Sequence, residues 1–508
     1  MEETKEALKE YSLEQKYVTK KEKIGFLTGL AGQNIVYSLI GGSFFSYFLT
    51  EISLIPAQIC SVLLLLGKIW DGINDPVVGS IVDRCTFKSG EKLRPLLKWT
   101  PVFVGIFLVL MFFVLPVPEE LLWLRVMYFV IMYLCWDIVY TLQDVAIWGI
   151  TAMSTPVPDE REDLTKWART VGSCVFGVMS VGIPWILEMF VNLTGLTWQI
   201  STFIFAIVFG LNGALLSRRA YVAKERVPLT EKQESLRKSF SLLFKNRMLL
   251  LISLGNVLSA VGFGSTLITY FFKYMVPSDF IGTSFIGALG LTTLYSVITG
   301  LPTFISMLFA DKLKKLCGNS YVNVLIMIQS CNIIFRIAAF FVGFEGTKLW
   351  IAIAFLTVAG LPSGATSIAQ TSLFADSIDY MEWKTGMRTE GVTFSMQTFF
   401  TKASSGINQG LAMLALSLLG YVAIDRAESF VGLQSQAFNT WIWPLMILTP
   451  AIGSLLYIIP LLFINYTKKQ KEIVTEDLRR RRENLPESGE SPYYKEHLAQ
   501  KFAQDIEQ

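Results

Sequence analysis

The sequence has little charge and almost no histidine. Only 17% of its 508 residues are Asp, Glu, Lys or Arg, and His497 is the single histidine, whereas an average soluble chain has about a quarter charged residues. The six cysteines show no CxxC spacing, which is typical of small apolar residues rather than metal ligands. Residues 1–23 mix Lys and Glu without an apolar core, so we expect no cleavable signal peptide. These absences argue against a soluble enzyme and against an imidazole-based metal site.

Long apolar stretches take the place of the missing charge. The mean hydropathy is +0.47, and stretches of about 20 apolar residues are each long enough to cross a bilayer as a helix. The net charge of +3 is too small to indicate a nucleic-acid partner. We expect an all-α polytopic membrane protein in contact with lipid, with no nucleic-acid partner. The pattern predicts twelve spans, at 24–49, 57–82, 96–116, 121–153, 167–191, 197–217, 247–272, 284–310, 321–343, 347–375, 389–420 and 440–466.

Lys and Arg mark every second link between these spans. They are frequent after the second, fourth, sixth, eighth and tenth spans and nearly absent from the other links. The positive-inside rule therefore places both termini in the cytoplasm, which we take to be bounded by the cell membrane. Two six-helix bundles joined by a basic link are typical of the major facilitator fold. The expected domains are a cytoplasmic N-terminal segment 1–23, a bundle 24–217, a cytoplasmic link 218–246, a bundle 247–466 and a cytoplasmic tail 467–508.

Ionisable residues inside the second span indicate a cation site. Lys68, Asp71 and Asp75 lie at i, i+3 and i+7 and therefore share one helix face, with Asn74 beside them. Charges at membrane depth are costly and indicate function by default. Two acids one turn apart repel each other unless a cation or a proton joins them. The sequence predicts an oxygen-rich site for a small cation.

The fourth span carries a second polar stripe. Asp137, Thr141, Asp144 and Trp148 lie at i, i+4, i+7 and i+11. Acids and amides hydrogen-bond sugar hydroxyls, and an aromatic face stacks on the C–H side of a pyranose. In the eleventh span, a polar group interrupts an otherwise apolar helix. It comprises Gln397, Thr398, Thr401 and Lys402. Together the two stripes predict a carbohydrate pocket.

Two charged groups near the predicted cytoplasmic ends suggest a gate. Small residues let two helices meet closely, and after the second span an Asp–Arg pair beside a tight turn forms either a latch or a simple positive-inside anchor. A second charged group follows the tenth span, where it forms either a solvated turn or ion pairs with the first. The candidate gate residues are Asp83, Arg84, Arg94, Asp376, Asp379, Glu382 and Arg388.

Four motifs resemble the glycoside–pentoside–hexuronide:cation symporter family, of which the melibiose permease is a member. They begin at Lys68, Tyr140, Ala375 and Gln397 and read KIWDGINDPVVG, YTLQDVAIW, ADSIDY and QTFFTK. Their order across both halves covers most of the membrane portion. The resemblance implies a major facilitator fold and a symporter that couples sugar entry to a cation.

Carried over position by position, the resemblance implies a residue set for each ligand. The implied cation site comprises Asp71, Asp75 and Thr141, with Asn74 close by. The implied sugar site comprises Asp144, Trp148, Arg169, Gln397, Thr398 and Lys402, with Lys402 also near the cation. Where the melibiose permease has a Lys–Asp pair, this chain has Gln33 and Asn34, and Asn34 keeps the capacity to bind sugar. Asp137 is an extra acid that we assign to the sugar pocket.

Several alternatives stay open at the level of sequence. The coupling ion is Na⁺ or H⁺, with Na⁺ favoured, and no cofactor is expected beyond it. The sugar is neutral or a uronate, and a monomer is expected for this architecture. A rival function is a major facilitator carrier of a non-sugar solute such as a lysolipid, and another is a transporter-like sugar sensor. An enzyme is disfavoured because the spans contain no histidine and no nucleophile–base motif.

Overall fold

The computed structural model describes residues 16–84, 87, 91–155, 157–226, 246–277, 287–307, 309–386, 390–424, 430–466, 468–482 and 487–495. Within these residues the chain forms helices joined by turns and short links. The helices of the first half are α1 (Lys20–Ser38), α2 (Ser43–Tyr47), α3 (Ala57–Arg84), α4 (Arg94–Met111), α5 (Leu122–Met153), α6 (Pro158–Thr194), α7 (Trp198–Phe205) and α8 (Asn212–Ser217). Short π and 3₁₀ turns extend them at Phe48–Ile52, Glu119–Leu121, Ala206–Leu211 and Arg218–Val222.

The second half continues the same pattern. Its helices are α9 (Arg247–Ser259), α10 (Ile268–Met275), α11 (Ala288–Met307), α12 (Ala310–Leu316), α13 (Tyr321–Val342), α14 (Lys348–Gly360), α15 (Ala365–Thr385), α16 (Glu390–Leu418), α17 (Gln436–Leu461) and α18 (Lys468–Arg482). The 3₁₀ turns Phe263–Leu267 and Leu361–Gly364 join α9 to α10 and α14 to α15. Side chains of Asn246, Ser320 and Ser435 cap the starts of α9, α13 and α17.

The helices confirm an all-α membrane protein. Nine helical stretches within the described ranges are long and apolar enough to cross a membrane. Helices also cover most of the predicted spans 24–49, 57–82 and 389–420, although the first is interrupted at 39–42. The chain is therefore a multi-pass membrane protein.

Two predicted boundaries differ from the structure by more than two turns. Helix α6 begins at Pro158 rather than at 167, because proline at the first helical position fits the helix and leaves no N–H unsatisfied. Helix α15 continues past 375 to Thr385 and ends at Gly386, whose φ of 71° is favourable only for glycine. Apolar periodicity marks the membrane-embedded part of a helix and misses its polar ends.

The described residues form two compact units. Unit 1 contains the described parts of Met1–Glu231, Phe272–Thr293 and Leu416–Gln434, and thus includes two segments from late in the sequence. In unit 1, α1 crosses α8 at Gly32, where an added Cβ would lie 2.5 Å from the carbonyl oxygen of Gly213. Such small residues allow close helix packing without a driving force from water. This packing fixes the position of α1 beside the site described below.

Unit 2 contains the described parts of Lys232–Phe271, Leu294–Ala415 and Ser435–Gln508. Its main core joins residues of α9, α13, α15 and α17, with Phe374 and Leu325 fully buried. A smaller cluster packs Trp383 of α15 against Val474 and Leu478 of α18. The tail helix is therefore docked onto the end of α15.

Candidate functional site

The polar faces of α3 and α5 meet inside unit 1. Asp71, Asn74, Asp137 and Thr141 are each at most 5% exposed. The spacing of the two stripes places their polar side chains toward each other along both helices. The structure therefore brings the predicted cation residues together with Asp137, which the sequence assigned to the sugar pocket.

Asp71 has two direct partners within unit 1. The Lys68 ammonium lies 2.8 Å from Asp71 Oδ2, and the Tyr133 hydroxyl donates to Oδ1 at 3.0 Å. Lys68 lies one turn before Asp71 on the same helix, a spacing that favours such pairs. The carboxylate charge of Asp71 is thus compensated by a neighbour on its own helix.

Asn74 of α3 bridges two residues of α5, the acid Asp137 and the hydroxyl-bearing Thr141. Its amide nitrogen donates to Asp137 Oδ2 at 2.9 Å and to Thr141 Oγ1 at 3.2 Å. The Thr141 hydroxyl in turn donates to Asp75 Oδ1 at 3.4 Å. Asp137 and Asp75, which lie on different helices, are therefore joined through one amide and one hydroxyl.

Asp144 lies further along α5 and contacts α1. The Gln33 side-chain nitrogen donates to Asp144 Oδ1 at 2.8 Å, while the Gln33 oxygen is buried without a partner among the described residues. Asn34, the residue assigned to the sugar, donates instead to the carbonyl oxygen of Leu30 in its own helix. Of the Gln33–Asn34 pair, Gln33 is thus the residue that contacts Asp144.

Aromatic rings surround these carboxylates. The Arg169 guanidinium lies 5.6 Å from the ring centre of Trp148, which joins two of the predicted sugar residues from α6 and α5. Tyr140 stacks on Trp136 at 4.7 Å and on Tyr37 at 5.8 Å between ring centres. Stacked rings beside hydrogen-bonding acids form a surface suited to a polar ring with one C–H face.

The remaining predicted sugar residues belong to unit 2. Gln397, Thr398 and Lys402 all lie on α16, and the Thr401 hydroxyl donates to the Gln397 carbonyl oxygen at 2.8 Å. Gln397 and Lys402 are half-buried. Their assignment to the sugar site stays a prediction.

The candidate gate residues of the first half lie around the link from α3 to α4. Asp83 and Arg84 are in the last turn of α3. Arg94, at the start of α4, pairs with Glu91 and stacks on Tyr221 at 4.5 Å. Glu225 accepts the backbone N–H groups of Lys92, Leu93 and Arg94 at 2.6–2.9 Å, which caps the positive end of α4.

The candidate gate residues of the second half lie on α15 rather than in a solvated turn. This corrects one of the two readings given for Asp376, Asp379 and Glu382. The Lys471 ammonium of α18 contacts both oxygens of Asp376 at 2.6 and 2.7 Å. Arg388 lies outside the described residues.

The tail makes further polar contacts with the end of α15. The Trp383 indole donates to Asp477 Oδ2 at 2.9 Å, and Arg481 donates to the Glu382 carbonyl oxygen at 2.7 Å. Burial alone would raise the pKa of Asp477, but hydrogen bonds from Trp383 and Ser488 outweigh it and hold that pKa below its ordinary value. Gly386 lies close to Tyr493, where an added Cβ would be 2.4 Å from the ring.

Glu51 is a buried acid that the sequence analysis did not single out. Its side chain is 1% exposed and lies 2.7 Å from the ammonium of Lys273. The hydroxyls of Tyr274 and Tyr421 donate to Glu51 Oε1 at 2.9 and 2.6 Å. Through these contacts Glu51 links the end of the first span to the two segments Phe272–Thr293 and Leu416–Gln434 of unit 1.

Glu188 has a similar role at another point of unit 1. Its two carboxylate oxygens accept the backbone N–H groups of Leu289 and Gly290 at 3.2 and 2.7 Å. An acid at this position satisfies the unpaired donors at the start of α11 and complements the helix dipole. Neither Glu51 nor Glu188 belongs to a recognisable spacing pattern, so only their isolation in apolar sequence could have indicated a role.

Membrane-spanning helices around a buried site of acids, amides and aromatic rings define a polytopic transporter. The family model described as MFS/sugar transport protein matches residues 25–468, so the chain belongs to this family of transporters, the one its motifs resemble, and it is not an enzyme.

Two curated relatives and one solved structure illustrate the similarity. The isoprimeverose transporter of Lactiplantibacillus pentosus is 26% identical over 87% of this chain and 88% of the relative. The glucuronide carrier protein homolog of Escherichia coli K12 is 23% identical over 89% of this chain and 94% of the relative. A crystal structure of a D-xylose-proton symporter has a TM-score of 0.53 and 15% identity, covering 86% of this chain and 96% of that one. The structural likeness confirms the major facilitator fold.

Proposed function

We propose that this chain is a Na⁺-coupled symporter that imports a glycoside, pentoside or hexuronide across the cell membrane by alternating access. The observation that carries the proposal is the buried contact between the acids of α3 and the polar stripe of α5. Buried carboxylates at membrane depth are costly unless an ion or a proton accompanies them. Acids that take up and release a cation in each transport cycle therefore provide the means of coupling.

The proposed cation site lies where Asp71, Asn74, Asp75 and Thr141 meet. Carboxylate, amide and hydroxyl oxygens are the ligands that hard cations such as Na⁺ prefer, by analogy with Ca²⁺ and Mg²⁺ sites. No group of three or more His, Cys, Asp or Glu residues forms a metal centre within the described ranges. A mixed oxygen site of this kind suits a monovalent ion that must bind and leave in every cycle.

The proposed sugar site adjoins the cation site along α5. Asp144 and Gln33 provide hydrogen-bonding groups, and Trp148 provides a ring beside Arg169. We assign Gln397, Thr398 and Lys402 to the same site because they belong to the family motif QTFFTK, and Asn34 because its amide can still donate to and accept from a sugar hydroxyl. A bound cation neutralises the acids of α3 and α5, whose negative charge otherwise repels the nearby carboxylate of Asp144. Cation binding therefore favours sugar binding at Asp144.

The driving force is sufficient for uphill transport. One charge that crosses a membrane potential of ~150 mV gains roughly 3.5 kcal/mol, scaling from ~2.3 kcal/mol per 100 mV. This free energy corresponds to an accumulation of a few hundredfold at ~1.4 kcal/mol per factor of ten. A sugar sensor without transport would have no need of such coupling.

We place both termini and the gate residues on the cytoplasmic side, and we propose a functional monomer with bundles at 24–217 and 247–466. Glu51 and Glu188 then lie near the opposite side, at the end of the first span and near the end of α6. In this account their contacts in unit 1 are released when the site opens outward, while Asp83, Arg84, Arg94, Asp376, Asp379, Glu382 and Arg388 close the inner side.

Uptake into proteoliposomes tests the proposal. The purified protein is supplied with a labelled α-galactoside, β-xyloside or glucuronide under an imposed Na⁺ gradient or an imposed pH gradient. We expect accumulation of one of these sugars above the external concentration under the Na⁺ gradient. Accumulation under the pH gradient alone would replace Na⁺ by H⁺, and no accumulation in vesicles shown to be tight would favour a carrier of non-sugar solutes.

A further inference from the structure

Arg336 is a charged residue inside an apolar helix, and it belongs to neither the site nor the gate described above. It lies on α13 (Tyr321–Val342) of unit 2, one of the helices that are long and apolar enough to cross a membrane. Its Nε donates to the side-chain oxygen of Asn332, one turn earlier, at 2.6 Å. This contact turns the side chain toward the middle of the helix. The guanidinium group therefore lies roughly 15 Å from each end of α13, at about 1.5 Å per residue.

Arg336 is on the inward face of α13. The outward face carries Ile334 and Phe341, which are 62% and 81% exposed. Arg336 follows Ile334 by two residues, which is about 200° around a helix at roughly 100° per residue. Leu325 and Ala339, which are fully buried, lie on the same side as Arg336. An arginine at membrane depth that faces inward is a candidate for contact with a transported solute.

No acid neutralises Arg336 within the described ranges, where its one hydrogen bond is the bond to Asn332. The ionisable group that interacts electrostatically with Arg336 is the Tyr295 phenol of α11, and a phenol is neutral near pH 7. A buried cation without a counter-charge is unfavourable. Unit 2 therefore keeps a positive charge at membrane depth that an anion can compensate.

The hydrogen bond to Asn332 also determines which donors face a ligand. A guanidinium group only donates, so the Asn332 atom that faces Nε is the oxygen, and the amide nitrogen points the other way. Neither that nitrogen nor the two Nη groups of Arg336 donates to a described residue. The parallel N–H groups at the end of a guanidinium group match the two oxygens of a carboxylate. The pair therefore presents donors and a positive charge to an anionic ligand.

The depth of the guanidinium group favours a soluble anion over a lipid. Phospholipid headgroups lie outside a hydrocarbon core about 30 Å thick, so their phosphates are roughly 15 Å from a group in its middle. A solute that crosses the membrane necessarily passes this depth. Among the sugars that the proposed function allows, the hexuronide is the one that carries a carboxylate.

We propose that Arg336 and Asn332 bind the carboxylate of an acidic sugar, so that the substrate is a hexuronide rather than a neutral glycoside or pentoside. This inference rests on the proposed sugar transport and narrows its substrate class. The two residues belong to none of the four family motifs. With one Na⁺ per sugar, transport then moves no net charge, and the Na⁺ concentration gradient rather than the membrane potential drives accumulation.

Binding of a matched pair of sugars to the purified full-length protein tests the assignment. Phenyl β-D-glucuronide and phenyl β-D-glucoside differ only at C6, where the first has a carboxylate and the second a hydroxymethyl group. Both affinities are measured by titration calorimetry in detergent with Na⁺ present. We expect the wild type to bind the glucuronide at least about tenfold more tightly, as for hydrogen bonds between charged groups.

Two variants remove this preference in different ways. Arg336→Gln keeps N–H donors but removes the charge, so the ratio of the two affinities should fall to about one. Asn332→Asp keeps Arg336 and gives it a carboxylate of the protein as partner, which should abolish the preference as well. We expect Asn332→Asp to unfold at no lower temperature than the wild type, because the guanidinium group gains a counter-charge. If Arg336→Gln does not purify, Asn332→Asp decides.

The matched control is Lys348→Gln, which removes one positive charge from an exposed position at the start of α14. Its preference for the glucuronide should stay within about twofold of the wild type, because salt screens an exposed charge. Equal affinities of the wild type for the two sugars would overturn the assignment, as would an undiminished preference in Arg336→Gln or Asn332→Asp. Displacement of the glucuronide by an equal concentration of inorganic sulfate would identify a general anion site and overturn the substrate class.

Uptake into proteoliposomes separates this inference from the proposed function. Accumulation of a neutral glycoside alone would leave the symporter standing and refute the acidic substrate. A preference for the glucuronide that depends on Arg336, without accumulation of any sugar, would refute the proposed transport and leave the carboxylate site standing.

Discussion

At the residue scale, we propose that Asp144 contributes more to sugar recognition than any other residue of the proposed pocket. Gln33 orients its carboxylate at 2.8 Å, and the next turn of α5 carries Trp148. Asp144→Ala removes an acceptor for sugar hydroxyls and leaves the Gln33 amide without its partner. We expect at least a tenfold loss of affinity, about 1.4 kcal/mol or more, consistent with hydrogen bonds to a charged group.

Affinity is measured by competition for the sugar identified in the uptake panel, with purified protein in detergent. The control is Asp163→Ala. Asp163 is half-exposed, lies near the start of α6 and pairs there with Lys23. An Asp144→Ala variant with the affinity of the wild type would remove Asp144 from the pocket.

The residues of the site were predictable to different degrees. The spacing of Lys68, Asp71 and Asp75 indicated a shared helix face, and the Lys68–Asp71 contact fits that geometry. The contact of Asp137 with Asn74 was not predictable, because it depends on the relative register of α3 and α5. A single sequence determines the face of each helix but not its axial position against a neighbour.

At the scale of elements, Glu51 joins the first span to α10 and to the segment after α16. Glu51→Gln keeps the size of the side chain and leaves Lys273 buried without its carboxylate. Loss of one partner of a buried ion pair costs about 3–5 kcal/mol. We therefore expect a clearly lower temperature of thermal unfolding in detergent and faster proteolysis near Tyr421.

Glu119→Gln is the control for this prediction, because Glu119 is an exposed residue of the short 3₁₀ turn before α5. Lys273→Met combined with Glu51→Gln should recover part of the lost stability, since the pair is then removed as a whole. Equal unfolding temperatures for Glu51→Gln and the wild type would show that the contact is not part of the stable structure.

The tail helix α18 is a second element whose docking depends on a few contacts. The lowered pKa of Asp477 keeps its carboxylate ionised at neutral pH, and this stabilising charge is lost only as the pH falls through that lowered pKa. Asp477→Ala leaves the Trp383 indole and Ser488 without their acceptor. We expect faster hydrogen–deuterium exchange over 468–482 at neutral pH, with Glu490→Ala, an exposed position, as the control.

Protection of α18 that is unchanged in Asp477→Ala would mean that the apolar contacts of Val474 and Leu478 suffice for docking. The charged composition of the tail gave no indication of this contact. A short helix that buries only a few apolar residues has a sequence pattern that is difficult to distinguish from the pattern of a fully solvated helix.

At the scale of the whole molecule, hydropathy predicted the helical membrane fold well, whereas the orientation predicted from the Lys and Arg distribution stays a prediction. Apolar runs must be helical in a bilayer because backbone groups cannot be left unpaired there. The same reasoning does not reach polar helix ends, so α6 and α15 proved longer than expected. It also does not reach contacts between distant segments, such as those of Glu51 and Glu188, which depend on tertiary packing.

We propose that a cation bound between α3 and α5 drives sugar uptake, and Asp75→Cys tests this coupling most directly. Two assays are run on the same proteoliposomes: accumulation driven by a Na⁺ gradient, and exchange of labelled for unlabelled sugar without a gradient. We predict that accumulation is abolished, because a ligand of the coupling ion is lost, whereas exchange continues, because the sugar pocket remains. Full uphill accumulation by Asp75→Cys would contradict the account.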